Sequence, residues 1–499
     1  MIGSEIMTKL PELISLSLGE RLSFFENSFL QTQELIIRPF TIKNKINSKA
    51  ALVYINNIVK TSELQEFVLR PLLETDMDYE TTSIENFIYN TVQITNLKKE
   101  IDPQTLIDAL LLGNSLILVE DLVPIFIADT PDWQKRALSS PISDRGKGSQ
   151  IAFSEDLQMN LNVIRKVIKN NQLVIESNTV GKRTNTNYSI VYCDDLVDRV
   201  ALDELHQKLK KINLDFVFDS NYLIENLHEK KLSPFPLLMT TERPDNACSA
   251  IVQGRIVIMV EGTSNVIMLP VTLPMFLQSA DDYFVRWEFG INRILRFISL
   301  IITLYTPAIY VSLVCFHEEM LPASTYFTLI SQSEGVPFPL VIEVIMLTLI
   351  LQVIMDAIFR MNRDLILIIS ILGTFVIGDV AVNAGLIRPA SIIVISITFI
   401  SSFIQPRQQD FFSALRLLRF SFLLIANLFG FYGIIILSFF VVIHICSLRS
   451  FGVPYLTPIA PFNLKEQQDN FIRGDLNNIT NKSHNIRHED LIVEKKEKK

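Results

Sequence analysis

Apolar residues fall into two regimes along this chain. Up to about residue 290 they come in short β-branched runs, broken by polar turns or by segments with helical spacing. From 297 to 449 they merge into long stretches with little charge. Residues 254–270, GRIVIMVEGTSNVIMLP, test the boundary, because Glu261, Gly262, Thr263, Ser264 and Asn265 interrupt an otherwise apolar stretch. A helix needs roughly 20 apolar residues to cross a bilayer core of about 30 Å. Each run beside Glu261 is too short, and two β-branched runs around a turn predict a hairpin.

That hairpin has an echo. GNSLILVEDLVPIFIA (113–128) aligns with GRIVIMVEGTSNVIML (254–269), matching Gly113 to Gly254 and Glu120 to Glu261. Upstream, ALVYINNIVKTSELQEFVLRPLLE (51–74) resembles SIVYCDDLVDRVALDELHQKLKKI (189–212), with Tyr54 opposite Tyr192. Two matches at nearly one offset predict two similar α/β subdomains. The expected organisation is an N-terminal helical segment (1–40), α/β subdomain 1 (41–135) and a linker with a helix (136–180). These precede α/β subdomain 2 (181–285), an all-α multi-span transmembrane domain (286–460) and a disordered tail (461–499). Glu120 and Glu261 read as turn residues. In the linker, Phe153, Leu157, Leu161 and Ile164 keep helical spacing, with Ser154 as a candidate cap, and GKGS (146–149) lacks the spacing of a phosphate loop.

Composition sharpens the division. The chain has 499 residues, 49% apolar, with 33 Phe and a net charge of −8, which argues against a nucleic-acid partner. Residues 1–30 lack the basic region and unbroken apolar core of a signal peptide, so the N-terminal region is expected in the cytoplasm. Cys193, Cys248, Cys315 and Cys446 form no CxxC pair, and reduced thiols with no metal site are expected.

In the apolar half, 297–316 carries no charge and predicts a span, as do 365–387 with one acid, 389–405, and 420–448 with tilt. Segment 337–359 is ambiguous. Thr348, Gln352, Asp356 and Arg360 recur every fourth residue and make a polar stripe, with Glu343 on another face. Such a helix lies in the interface or turns the stripe toward a wet interior. Arg286, Arg293 and Arg296 precede the first span, whereas Glu318, Glu319 and Glu334 follow it, again placing the N-terminal domain in the cytoplasm. Five spans would put the C-terminus outside; four or six would keep it inside.

Asp379 is the most informative residue there. An ionised Asp at mid-bilayer costs about 2.5–3.5 kcal/mol on insertion scales. Asn383 follows one turn later, and Ser370, Thr374 and Gly378 form a small-residue stripe. Two readings stand: a pore or ion path, and a buried polar contact that holds helices together. His444 reads as a packed histidine. The segment 463–499, rich in Asn and Lys, reads as a disordered tail.

Several motifs together resemble the A subunit of the GerA-type spore germination receptors: LLMTTERPD (237–245), GRIVIMVEGTSNVIMLPVTLP (254–274), QSADDYF (278–284), EGVPFP (334–339), VIGDVAVNAGLIRPA (376–390) and SFGVPYLTP (450–458). The chain departs from the family's pattern in three places. The acidic helix after PFP appears here as Glu343, Thr348, Gln352 and Asp356; SDRGKGSQIAF (143–153) replaces an Arg-Gly-Pro stretch; NIVK (57–60) replaces Gly-Leu-Val-Asp. The resemblance implies a complex with B and C subunits in the inner membrane of a bacterial spore. Such complexes answer amino acids, sugars or nucleosides, after which monovalent cations and dipicolinate leave the core. It further implies an oligomer of A subunits around a pore, with the nutrient pocket mainly in the B subunit.

The leading expectation is therefore a nutrient-gated, cation-conducting receptor subunit. Segment 280–293, with Asp281, Asp282, Tyr283 and Arg286, is its expected mechanical joint. A secondary transporter would need inverted repeats in the apolar half, and the repeat lies in the soluble half. A non-conducting scaffold subunit remains an alternative. No HExxH, GxSxG or Walker signature supports an enzyme, and no cofactor is expected.

Overall fold

The computed structural model describes residues 17–30, 32–42, 48–56, 58–75, 83–120, 122–132, 151–228, 233–278, 288–360, 380–405 and 408–462. The soluble half is an internal repeat. Its first copy runs α1 (Leu18–Ser28), β1 (Leu35–Thr41), β2 (Lys49–Ile55), α2 (61–74, with a π-helical turn at Leu64–Leu69), α3 (Ile84–Thr91), β3 (Leu97–Glu100), α4 (Pro103–Leu111), β4 (Ser115–Val119) and β5 (Ile125–Ala128). The second copy keeps that order: α5 (Leu157–Val167), β6 (Leu173–Val180), β7 (Thr186–Cys193), α6 (Arg199–Lys211), α7 (Ser220–Leu227), β8 (Met239–Thr241), α8 (Pro244–Val252), β9 (Ile256–Val260) and β10 (Val266–Leu269).

The two sheets have matching strand orders, β1-β2-β4-β5-β3 and β6-β7-β9-β10-β8. Every neighbouring pair is antiparallel. Strands β4, β5, β9 and β10 are buried along their whole length. Helices cover both faces of each sheet, which is why these strands read as unbroken apolar runs rather than alternating ones. The equivalence reaches single bonds. Glu120 N–H donates to Lys49 O and Glu261 N–H to Asn187 O, so both acids end a strand at the turn. Gly113 and Gly254, at φ 87° and 84°, end the preceding helices in the left-handed region.

The repeat begins earlier than its motifs indicate. The expected N-terminal helical segment contains α1 and then an edge strand, β1, in which Pro39 is tolerated because only β2 pairs with it. Likewise, the expected linker contains α5 and β6. Ser154 is not the cap of α5. Asp156 holds that position and accepts from Met159 N–H, while Ser154 Oγ accepts from Asp156 N–H. The GKGS segment lies outside the described residues. A buried ion pair, Arg165 with Glu34, joins the two copies, and Asn171 Nδ2 donates to Ser28 O across the same boundary.

The second half is helical: α9 (Glu288–Phe316), α10 (Ala323–Ser333), α11 (Leu340–Arg360), α12 (Pro389–Phe403) and α13 (Gln409–Ser447). Two stretches, Ile291–Phe316 and Asp410–Ser447, are long and apolar enough to cross a membrane by length and composition. The second is not one rod. Gly430 breaks α13 with φ 58° and ψ −142°. A Cβ built on Gly433 would lie 2.9 Å from the Ile425 carbonyl oxygen. In a straight helix those residues are about 12 Å apart along the axis. The chain therefore folds back at Gly430 into two antiparallel arms. This corrects the expectation of a single tilted span at 420–448: an apolar window responds to hydropathy and not to one glycine in a non-helical conformation.

Candidate functional site: the junction and the buried ion pair

After α13 the chain returns to the second subdomain. A short ribbon, β11 (Arg449–Ser450) with β12 (Val453–Pro454), docks there. Ser450 Oγ accepts from Val271 N–H at 3.0 Å and donates to Leu237 O at 2.7 Å. Leu273 N–H donates to Tyr455 O at 2.7 Å. The side chains divide between the two faces of the sheet. Phe451 enters the core beneath α6, with Lys208 Nζ 4.1 Å from its ring centroid, and Tyr455 enters the opposite core. Tyr455 is 0% exposed, its hydroxyl has no hydrogen-bond partner among the described residues, and burial pushes that hydroxyl well above the usual tyrosine range.

Tyr455 sits among rings that link the two halves. Its ring centroid lies 6.3 Å from that of Phe276 and 6.2 Å from that of Phe235. Phe276 stacks on Phe411 at 5.3 Å, at the start of α13, and Phe235 lies 6.1 Å from His444, near its end. A straight helix would hold Phe411 and His444 roughly 50 Å apart. The hairpin brings both to the same subdomain. His444, half-buried, also shares a 3.0 Å hydrogen bond with Ser233. Leu304, Ala308, Phe411, Ala414, Leu418 and Phe422 belong to the same hydrophobic core as β9 and β10 residues. Soluble and helical halves are thus packed as one body at this junction.

The opposite end of the helices holds the second feature. Glu343 on α11 is 1% exposed, yet both its oxygens are engaged. Arg388 Nη1 donates to Oε2 at 2.7 Å, and Arg388 N–H donates to Oε1 at 2.7 Å. Tyr310 OH and Ser391 Oγ share a 3.2 Å bond beside them, and Gln332 Oε1 accepts from Ala390 N–H at 3.3 Å. These contacts tie α9, α10, α11 and α12 together. Near the same end, His317 Nε2 accepts from Phe431 N–H at 3.4 Å, at the start of the returning arm.

The sequence-predicted residues fall as follows. Of the polar stripe, Thr348 is buried and donates to Val344 O of its own helix at 2.7 Å, and Gln352 is half-buried. The side chain of Asp356 lies outside the described residues, as do Ser370, Thr374, Gly378 and Asp379. Asn383 is exposed, in the turn before Arg388. Asp281, Asp282, Tyr283 and Arg286 also lie outside the described residues. Sequence reasoning missed Arg388, Gly430 and the ribbon. Arg388 had a signal: it is the sole charge in 380–405, as Glu343 is in 335–355, and isolated opposite charges in apolar helices tend to pair.

Comparison with known proteins decides the family. Residues 23–485 match the GerA model, described as Bacillus/Clostridium GerA spore germination protein. The chain belongs to the GerA family. It is 33% identical over 465 residues to spore germination protein KA of Bacillus subtilis (strain 168), covering 93% of this chain and 85% of that one. It is 31% identical to spore germination protein GerLA of Bacillus cereus, covering 93% and 95%. The N-terminal domain of the A subunit of the Bacillus megaterium germinant receptor GerK3 aligns with 26% identity and a TM-score of 0.41, over 51% of this chain and 94% of that one. The GerA-family membership agrees with the resemblance carried by the motifs.

Proposed function

We propose that this GerA-family chain is an A-type subunit of a nutrient-gated germination receptor, and that its helical half forms the cation-conducting part. The observation that carries the reading is the shared core at Phe276, Phe411 and Tyr455. Through it and the neighbouring Phe235–His444 contact, a movement of the second subdomain would carry both arms of α13. The joint at Asp281, Asp282, Tyr283 and Arg286 would be the second connection.

In this reading α9 leaves the soluble half, and α11 and α12, whose starts meet at Glu343 and Arg388, both return toward it. The arms of α13 go out and back. The C-terminus then lies on the side of the soluble half, and Arg286, Arg293 and Arg296, ahead of the apolar stretch that begins at 297, favour the cytoplasm. The complex would contain B and C subunits and an oligomer of A subunits in the spore inner membrane. Asp379, Asn383, Thr374, Gly378 and Ser370 would line the ion path. Cation flux through the reconstituted complex tests this. Asp379→Leu is expected to lower nutrient-evoked flux; flux equal to the unaltered complex would leave a scaffold role instead.

A further inference from the structure

The second subdomain carries a groove that the proposed conduction does not use. It lies between edge strand β6, the turn to β7 and the last turn of α6, with a volume of about 400 Å³, inside the rough 300–1,000 Å³ range of small-molecule sites. Its lining includes Lys182, His206, Lys210 and Tyr188, with amides from Asn178, Asn185 and Asn213, and no carboxylate. That is unusual on a chain with net charge −8.

Among the described residues the imidazole is held by an acid and the two lysines are not. Neither Lys182 nor Lys210 has a carboxylate partner among the described residues, whereas Lys208 on the same helix pairs with Glu204 at 2.6 Å. Glu176 on β6 is already committed: Tyr192 OH donates to Oε1 at 2.6 Å, and His206 Nε2 bonds Oε2 at 2.8 Å. That bond fixes the imidazole at the groove. The repeat supplies an internal comparison. In the first subdomain, the groove between β1 and α2 is lined by Arg38, Glu66, Arg70 and Glu74, and Arg70 and Glu74 neutralise each other at 2.9 Å. Among the lining residues, the groove of the first copy is charge-balanced and that of the second carries two lysines with no carboxylate.

We propose that the groove at Lys182 and Lys210 binds a small oxyanion, a phosphate or a carboxylate, through the two ammonium groups and the side-chain amides. The site is independent of the ion path. The full chain in lipid nanodiscs is titrated with inorganic phosphate and, separately, with succinate, against chloride at matched ionic strength, by calorimetry. Saturable binding of either oxyanion is expected, and which one binds identifies the source. In Lys182→Gln/Lys210→Gln it weakens by about ten-fold or more, since one charge-assisted hydrogen bond is worth at least that. Arg70→Gln/Glu74→Gln leaves it unchanged. Both lysines are exposed, so the double variant keeps its fold. No saturable binding, equal binding in the lysine variant, or an equal response to chloride would overturn the site.

Discussion

Glu343 and Arg388 lie 45 positions apart and meet in the apolar interior of the helical half, with Arg388 supplying both its guanidinium and its backbone N–H to one carboxylate. A pair so placed is costly to break rather than strongly stabilising as a whole. Glu343→Gln and Arg388→Leu are each expected to destabilise by about 3–5 kcal/mol, because each leaves one buried charge alone. The double change Glu343→Leu/Arg388→Leu is expected to be milder than either. Thermal midpoints of the detergent-solubilised chain check the order, and a double variant worse than both singles would contradict it.

Tyr455 separates packing from hydrogen bonding at the junction. Its hydroxyl is buried without a partner among the described residues, so Tyr455→Phe is expected to be neutral or to stabilise by about 1 kcal/mol. Tyr455→Ala removes a ring packed against Phe276 and Phe235 and is expected to cost about 3–5 kcal/mol. Denaturation curves of the two variants check the opposite signs.

Gly430 admits no side chain on two counts. Its φ of 58° with ψ of −142° belongs to glycine, and an added Cβ would sit 3.1 Å from His317 Nε2 and 3.1 Å from Phe316 Cβ. Gly430→Ala is expected to lower the thermal midpoint more than Gly385→Ala, whose φ is 65° but whose Cβ would meet nothing within 4 Å. Equal effects would show that crowding at the hairpin is immaterial.

The thiol of Cys248 gives the soluble half a predicted alkaline sensitivity. Burial first, and then Asp245, push its pKa from 9.0 to about 12. The folded value exceeds the unfolded one, so the contribution is complete below pH 9 and is lost as pH rises from there through about 12. Arg255 acts oppositely: burial lowers its pKa from 12.5 to about 10, and that penalty is relieved above pH 10. Cys248→Ala is therefore expected to flatten the loss of stability between pH 9 and 10, measured as the slope of thermal midpoint against pH.

Much of the soluble half was legible because its central strands are covered on both faces and therefore appear as apolar runs, with Gly113 and Gly254 marking the helix ends before them. The outer parts of the repeat were not. β1, LIIRPFT, is a half-exposed edge strand containing Pro, so it lacks the pattern that reveals β2. α1 and α5 align only once the fold is seen. In the helical half, hydropathy locates apolar chain but is silent on direction. The reversal at Gly430, the pairing of Glu343 with Arg388 and the insertion of Phe451 and Tyr455 into opposite cores are all decided by tertiary contacts.

Coupling through the junction is the central claim, and locking it is the most direct test. Phe276 and Phe411 stack at 5.3 Å across the two halves. In the reconstituted receptor, Phe276→Cys/Phe411→Cys is joined with a short reversible thiol cross-linker, with each single variant treated alongside. Nutrient-evoked cation flux is expected to persist in the cross-linked pair, because residues that move as one body tolerate a covalent link. Flux that stops on cross-linking and returns on reduction would show that the two halves slide past one another at this contact and would contradict the account.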